Sequence, residues 1–406
     1  NRDIFNVRIP FFGYTSLFMV MFFMSMPLFL IRLMKNQKIA VGKRTLQVAF
    51  SLICMAGVVL LSIAINSLTG TLINYSTAIE SFISYTIFFL VFFFTVKTVS
   101  ESNLTDEYYR VWLFITLIVN LIGMAQILAL QGIPFFESRF IWENMRLGTG
   151  RIASTFRWQG MVVAFLGLVL PSIASNIIIS KNTVGKLYYI INLMLGIAVL
   201  IFTGSRTSLL VIPLSIAPIL LSIKNKKAIK AVSVSIMGFF LLGIYLVRLD
   251  NNAIMRVLGM HSTGNGIMQT MVYGGATGRQ WIWSQAFKYW ETAPLFGIGA
   301  NQLFEYIGMH PHSSYIQVLT EQGLSGFIIF LILIISIIGV CLQLWKNGSN
   351  NAINLRGKGL ALGLVNFLLY QFAASAVNYH FVYLFIALCV LYCEKYSVSR
   401  EQHTKE

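Results

Sequence analysis

The sequence predicts an all-α protein, a polytopic bundle of membrane-spanning helices, and three observations predict it. Hydrophobic residues make up 57% of the chain and charged residues only 11%, whereas a soluble domain carries roughly a quarter charged. Several apolar runs reach or approach the ~20 residues that cross a bilayer as a helix. These runs are continuous, without the alternation of a transmembrane barrel.

In chain order, the clear runs are 11–31, 46–65, 79–96, 111–130, 161–179, 231–247 and 326–344. Shorter or proline-interrupted runs are 187–202, 209–223, 360–376 and 381–392. Together they predict about eleven spans in one membrane domain, residues 1–406. A twelfth is expected if a native helix precedes residue 1, which is Asn rather than Met. Cys54, Cys341, Cys389 and Cys393 fall in or beside apolar runs, so no disulfide framework is implied. Cys389 and Cys393 share a helix face, where packing is the expected role.

Lys and Arg concentrate in cytoplasmic loops. Residues 32–44 are basic and are therefore expected inside. Counting onward, 97–110, 181–186, 224–230, 346–358 and the tail from 394 fall inside too, each with basic residues. The remaining loops face out, and two are long, 131–159 and 249–311. The kind of cation differs between the faces. All lysines but Lys288 lie on the inside, whereas Arg2, Arg8, Arg139, Arg146, Arg151, Arg157, Arg206, Arg248, Arg256 and Arg279 lie outside. Inside lysines need only orient the chain, so the net charge of +16 implies no nucleic-acid partner. Outside arginines work against that rule. A guanidinium fork grips phosphate oxygens in pairs, so a phosphate-bearing ligand at the outer leaflet would explain them. Pairing with outside carboxylates and lipid headgroups accounts for part of the set, including Arg2, Arg8 and Arg248.

The loop 249–311 carries most of the candidate chemistry. Thr277 and Gln280 have capping-box spacing, predicting a helix over 279–292 with Arg279 in its first turn. Trp283, Phe287 and Trp290 would share one face, suited to the headgroup boundary. A glycine-rich turn, Pro294 to Asn301, follows. It lacks the Gly-Lys-Ser/Thr of a phosphate-binding loop. His312 then stands at the mouth of an apolar helix expected to run to residue 344. A neutral imidazole there can accept a proton from a sugar hydroxyl, and the alternative is an ordinary structural histidine. Thr203-Gly204-Ser205-Arg206-Thr207-Ser208 joins two short apolar segments. Irregular backbone at that depth is tolerated where it is buried or lines a water-filled cavity, so Arg206 is expected to point into one. With only three aspartates, Asp3, Asp106 and Asp250, no Asp-x-Asp pair exists to hold a divalent ion.

Arg206-Thr207-Ser208-Leu209-Leu210 resembles the Arg-x3-Leu element of the O-antigen polymerase and ligase superfamily, the Wzy/WaaL-like membrane proteins. His312 to Gly323 resembles its His-x10-Gly element. Gly278 to Trp283 and Pro294 to Gly299 are similar to the stretches preceding that histidine. Order and spacing agree from about 202 to 330. The first two hundred residues share only span count and orientation.

The resemblance implies a lipid-dependent glycosyltransferase fold that uses no metal and no nucleotide sugar. The implied donor is a glycan on undecaprenyl diphosphate, and the implied location is a bacterial inner membrane with the active site on the periplasmic or exterior side. Arg206 and Arg279 would hold the diphosphate and stabilise it as it leaves. His312 would orient or deprotonate the acceptor hydroxyl, with inversion at the anomeric carbon. Arg139 to Gly150 fits an Arg-x10-Gly element found in some polymerases. Arg139, Arg146, Arg151 and Arg157 are therefore candidate diphosphate or glycan contacts, and Tyr315 a candidate substrate contact. The expected partners are the lipid-linked donor, a glycan acceptor, membrane lipids and a chain-length regulator. The leading expectation is a polymerase joining repeat units of O-antigen, capsule or exopolysaccharide. The alternatives are a ligase acting on lipid A-core and a transporter of lipid-linked sugars. Transport is disfavoured because the span interiors hold Asn66, Asn120, Gln126, Asn192, Asn366 and Gln371 but almost no charge.

Overall fold

The computed structural model describes residues 6–9, 13–16, 42–133, 151–156, 158–205, 207–222, 276–346 and 351–403. Among these residues the architecture is helical, apart from one hairpin in which β1 (Asn6–Ile9) pairs antiparallel with β2 (Gly13–Ser16). The hairpin corrects the run at 11–31 in its first part, since 13–16 are strand. Val7, Ile9, Tyr14 and Thr15 are β-branched or aromatic and suit a pleated ladder. The rest of that run, and all of 231–247, lie outside the described residues.

The helices are α1 (Lys43–Thr69), α2 (Tyr75–Glu101), α3 (Thr105–Leu130), α4 (Gln159–Ile179), α5 (Thr183–Phe202), α6 (Ser208–Ser222), α7 (Ala276–Thr292), α8 (Gln302–Ile307), α9 (Ser314–Lys346), α10 (Asn351–Tyr370) and α11 (His380–His403). Six of them, α1 to α5 and α9, are long and apolar enough to cross a membrane. The fold is thus a polytopic membrane helix bundle. Its ends are set by local chemistry. Gly70 closes α1 in the left-handed region, Asn74 caps α2 by accepting from Ser76 and Thr77 N–H, and Asn182 caps α5 through Val184 N–H.

At the centre lies α4, buried continuously from Val162 to Asn176 and packed by α10, α6 and α5. Gly359 and Gly363 let α10 lie against it. A Cβ on the first would sit 2.5 Å from Ser175 Oγ, and on the second 2.1 Å from the Leu168 carbonyl oxygen. In lipid, such close approach and interhelical hydrogen bonds replace the hydrophobic drive for helix association. The amides foreseen in the span interiors supply those bonds. Asn120 Nδ2 donates to Asn192 Oδ1 at 2.7 Å and Asn366 Nδ2 to the Gly167 carbonyl at 2.9 Å. Bonds of this kind contribute on the order of 0.6 kcal/mol each.

Contacts between loops sort by the predicted side. At one end, Asn66, Asn74, Arg151, Thr203, Gln302, Ser314 and Gln371 join predicted outer segments to one another. At the other, Thr45 donates to Glu394 Oε1 at 3.0 Å, Arg44 Nε to Gln343 Oε1 at 3.0 Å, and Asp106 pairs with Lys395 at 2.7 Å and Arg356 at 3.4 Å. The predicted outer segments thus gather at one end of the bundle and the predicted inner ones at the other.

One helix departs from expectation. Instead of running unbroken, α9 changes direction at Gly323 (φ 66, ψ −167). The turn between α7 and α8 passes through the break and pairs with both halves. Ile298 and Gly299 N–H donate to the Thr320 and Glu321 carbonyls at 3.1 and 3.0 Å. Beyond the break, Leu324 and Ser325 N–H donate to those of Pro294 and Leu295 at 2.8 and 3.0 Å. Gly297 (φ 69) and Gly323 touch backbone to backbone, with 2.5 Å between a Cβ built on Gly323 and Gly297 N. Gly323→Ala is expected to cost about 3 kcal/mol or more, because left-handed strain and overpacking combine. Gly308→Ala shares the positive φ (69) but has open space around its Cβ, so about 1 kcal/mol is expected. Thermal unfolding of both variants in detergent checks the contrast.

Candidate active site

The candidate site forms at the end that carries the predicted outer segments, where four segments distant in sequence meet. Residues 308–313 carry His312 between α8 and α9. Gly308 (φ 69) turns the chain out of α8, and Pro311 and Ser313 are buried on either side of the exposed His312. His312 itself has φ 50, a left-handed conformation in which His is enriched but still uncommon. The residue two positions on anchors it. Ser314 N–H donates to the Gln371 carbonyl at 2.9 Å, and Ser314 Oγ accepts from Ala376 N–H at 3.0 Å and bonds the Gln371 amide. Behind the histidine, the buried Glu321 carboxylate accepts from Gln317 Nε2 at 3.1 Å and from the backbone of Asn301 and Leu303, tying α9 to α8.

Arg279 is delivered by α7. That helix begins at Ala276, so Thr277 lies inside it and not at a capping position. The capping-box reading is thus corrected, the helix being described from one residue before Thr277. One turn beyond Arg279, Trp283 Nε1 donates to the Pro311 carbonyl at 2.8 Å. Trp283 is therefore a strut onto the histidine segment, because a half-buried indole N–H needs an acceptor. The exposed aromatic rings of α7 are Trp281 and Phe287. Residues 279 and 283 share a helix face, so the strut brings the guanidinium alongside the imidazole. Arg279 is exposed and makes no ion pair among the described residues. Partial desolvation of its ring lowers the His312 pKa first, and the positive charges of Arg279 and His310 lower it further. His310, stacked on Phe304 at 4.8 Å, is lowered by burial as well.

Arg151 approaches from the first outer loop. Its Nε donates to the Thr203 carbonyl at 2.9 Å and Nη2 to that of Gly204 at 3.4 Å. It thereby grips the turn that bears Arg206. Thr203 and Ser208, both buried, pin that turn to the Leu200 carbonyl at 2.7 and 2.9 Å. Gln126 holds the segment after Arg151, its Oε1 accepting from Ala153 and Ser154 N–H at 3.1 and 2.7 Å.

Two tyrosines that sequence reasoning missed complete the cluster. Tyr370, at the end of α10, donates to the Gly160 carbonyl at 2.8 Å, and its hydroxyl lies within electrostatic range of Arg279, Arg151 and Tyr379. The Tyr379 hydroxyl flanks the same glycine. Their signal in the sequence is a hydroxyl at each edge of the last outer turn. The structure thus brings together His312, Arg279 and Arg151. Tyr315 is the second residue of α9, with its ring stacked on Phe372 at 4.2 Å and edge-on to Phe330 at 5.4 Å. Arg139, Arg146, Arg157 and Arg206 lie outside the described residues. His380 packs edge-on against Phe88 at 5.0 Å, a structural position.

Residues 191–331 match a protein-family model, Wzy_C, described as O-antigen ligase. The match covers only this segment and is consistent with the O-antigen polymerase and ligase superfamily. The match spans α5 to the first half of α9, so it contains the Arg206 turn, α7, the glycine crossing and His312. It marks a glycosyltransferase-like membrane enzyme. No curated protein matches the chain.

With the His312 pKa lowered, the neutral imidazole prevails at neutral pH. Protonation removes its ability to accept a proton, so transfer activity should fall as pH drops, with an inflection below the ordinary histidine value. Arg279→Gln removes one lowering charge and should move that inflection upward, besides slowing transfer ~10²–10³-fold. A pH–rate profile of the wild type and this variant checks both.

Proposed function

We propose that the protein is an inverting, metal-independent glycosyltransferase that polymerises lipid-linked repeat units on the outer face of a bacterial inner membrane. The observation that carries this reading is the meeting of Arg279, which makes no ion pair among the described residues, with His312 near the Arg151-held turn, in a segment that matches Wzy_C. The donor is a glycan on undecaprenyl diphosphate, and the acceptor is a hydroxyl of a second lipid-linked repeat unit.

In the reaction, the acceptor oxygen attacks the anomeric carbon from the face opposite the diphosphate. The new C–O bond forms as the bond to the diphosphate oxygen breaks, and that oxygen takes the electron pair. Arg279 and Arg206 hold the departing diphosphate, where fixed positive charge offsets the charge that develops. Neutral His312 takes the hydroxyl proton. Tyr370 and Arg151 act as positioning residues, the first beside the guanidiniums and the second by holding the Arg206 turn. A ligase would use the same donor and the same groups. Polymerases serve several surface-glycan pathways and the ligase one, which favours polymerisation.

Deleting the gene in the source strain and profiling its surface glycans tests the reading. Surface glycan reduced to single repeat units is the expected result. Full-length polymer retained on undecaprenyl diphosphate would make the protein a ligase. Unchanged glycan in both pools would overturn the assignment once a second copy of the gene is ruled out.

A further inference from the structure

A second recess lies on the outer-facing end, away from His312. It is a cavity of about 230 Å³ lined by Asn66, Thr71, Tyr289, Thr292, Ala293, Ile298 and Tyr306. Its walls come from the end of α1, the end of α7, the glycine-rich turn and α8. The Tyr289 and Tyr306 rings meet at 4.7 Å with 39° between their planes, and Tyr306 is fixed by a 2.6 Å hydrogen bond to the Thr71 carbonyl. Thr71 Oγ1 is fixed in turn on Asn66 Oδ1 at 2.6 Å. The recess is thus preorganised.

Its chemistry points away from phosphate, because no lining side chain is charged. Hydroxyls, an amide and aromatic faces suit a neutral, hydroxyl-rich ring, since polar groups orient it while apolar faces take its C–H surface. The position fits as well. Tyr289 lies ten residues along α7 from Arg279, about 15 Å at the rise of an α-helix, a separation a few sugar rings can span. A rigid rod therefore connects the two places, with the charged end at the diphosphate and the aromatic end at sugars farther along the glycan.

We propose that this recess is a distal glycan subsite, which holds a neutral sugar ring of the substrate while its lipid-linked end reacts at Arg279 and His312. The proposal rests on the glycosyltransferase reading above. It makes the protein sensitive to glycan length through residues that do not touch the reacting atoms.

The test uses the full chain in nanodiscs. The probe is the lipid-linked repeat unit extracted from cells lacking this gene, together with the glycan freed from that lipid by mild acid. Saturation-transfer NMR reports binding of the freed glycan, and transfer assays vary a longer-chain donor and a single-unit acceptor independently. Tyr289→Ala should abolish the saturation-transfer signal and raise KM about five- to tenfold for whichever partner fills the recess, more than it lowers kcat. Tyr289→Phe, which keeps the ring, should restore both, and Lys288→Ala, an exposed neighbour outside the recess, should match wild type. Wild-type transfer with KM unchanged in Tyr289→Ala would overturn the subsite and leave the glycosyltransferase reading standing. Absence of transfer in the wild type, with the freed glycan still bound through Tyr289, would overturn that reading and keep the recess as a sugar-binding site.

Discussion

The backbone crossing of Gly297 and Gly323 is the constraint on which the outer-facing end depends. A transmembrane helix leaves no spare backbone donors for a neighbour, and lipid offers none in return. By breaking at Gly323, α9 frees the carbonyls of Thr320 and Glu321 and the amides of Leu324 and Ser325, and the turn 293–301 satisfies all four. Neither segment can shift without stranding buried polar groups. The same turn is clasped from α1, where Ser62 Oγ donates to the Phe296 carbonyl at 2.6 Å and Asn66 Nδ2 to that of Gly297 at 2.9 Å. With α7, the turn and the first half of α9 locked together, the approach of Arg279 to His312 follows. The Trp283 bond to Pro311 is its last link. The cost is a left-handed His312, a strain that the paired Ser314 beside it sustains.

Charge is handled oppositely at the two ends. At the inner-facing end cations and anions neutralise one another, as Asp106 does with Lys395 and Arg356. Those pairs join the starts of α3 and α10 to the end of α11 and explain themselves as structure. At the outer-facing end Arg279 stands exposed without an ion pair among the described residues, while Arg151 spends hydrogen bonds on backbone carbonyls. An exposed guanidinium held near an imidazole, without an ion pair among the described residues, is an arrangement that an arriving anion would stabilise.

Much of this was legible in the sequence because membrane physics is one-dimensional in its first requirement. Runs at 46–65, 79–96, 111–130, 161–179 and 187–202 became α1 to α5 within a few residues of each boundary, since length and apolarity decide them. The grouping of loops at the two ends of the bundle followed the pattern of Lys and Arg for the same reason. What failed was tertiary. Gly323 follows Glu321 and Gln322 just ahead of the apolar run at 326–344, with no proline to mark a break, and its partner Gly297 lies far upstream, so nothing local announces that the two backbones touch. Trp283 read as an interfacial aromatic because its hydrogen-bond partner, the Pro311 carbonyl, has no side-chain signature. Tyr370 and Tyr379 were missed for a related reason. A tyrosine at the end of an apolar run looks like a membrane anchor until a neighbouring helix places arginines beside its hydroxyl.

The amides inside the bundle bear on whether the protein moves its substrate or transforms it. Alternating access requires groups of helices to rock against one another, and the contacts between them must break and re-form in each cycle. Here Asn120 binds Asn192 between α3 and α5, Asn366 binds the Gly167 carbonyl between α10 and α4, and Gly359 and Gly363 hold α10 against the most buried helix. Each bond is modest, but breaking one in hydrocarbon leaves a polar group without water to replace its partner. The polar residues within the spans are thus committed to fixing helices in place, and the exposed, unspent polarity collects at one end. A bundle whose helices are tied together in this way suits a catalyst with a fixed site. It suits a carrier poorly, because a carrier must open to both faces in turn.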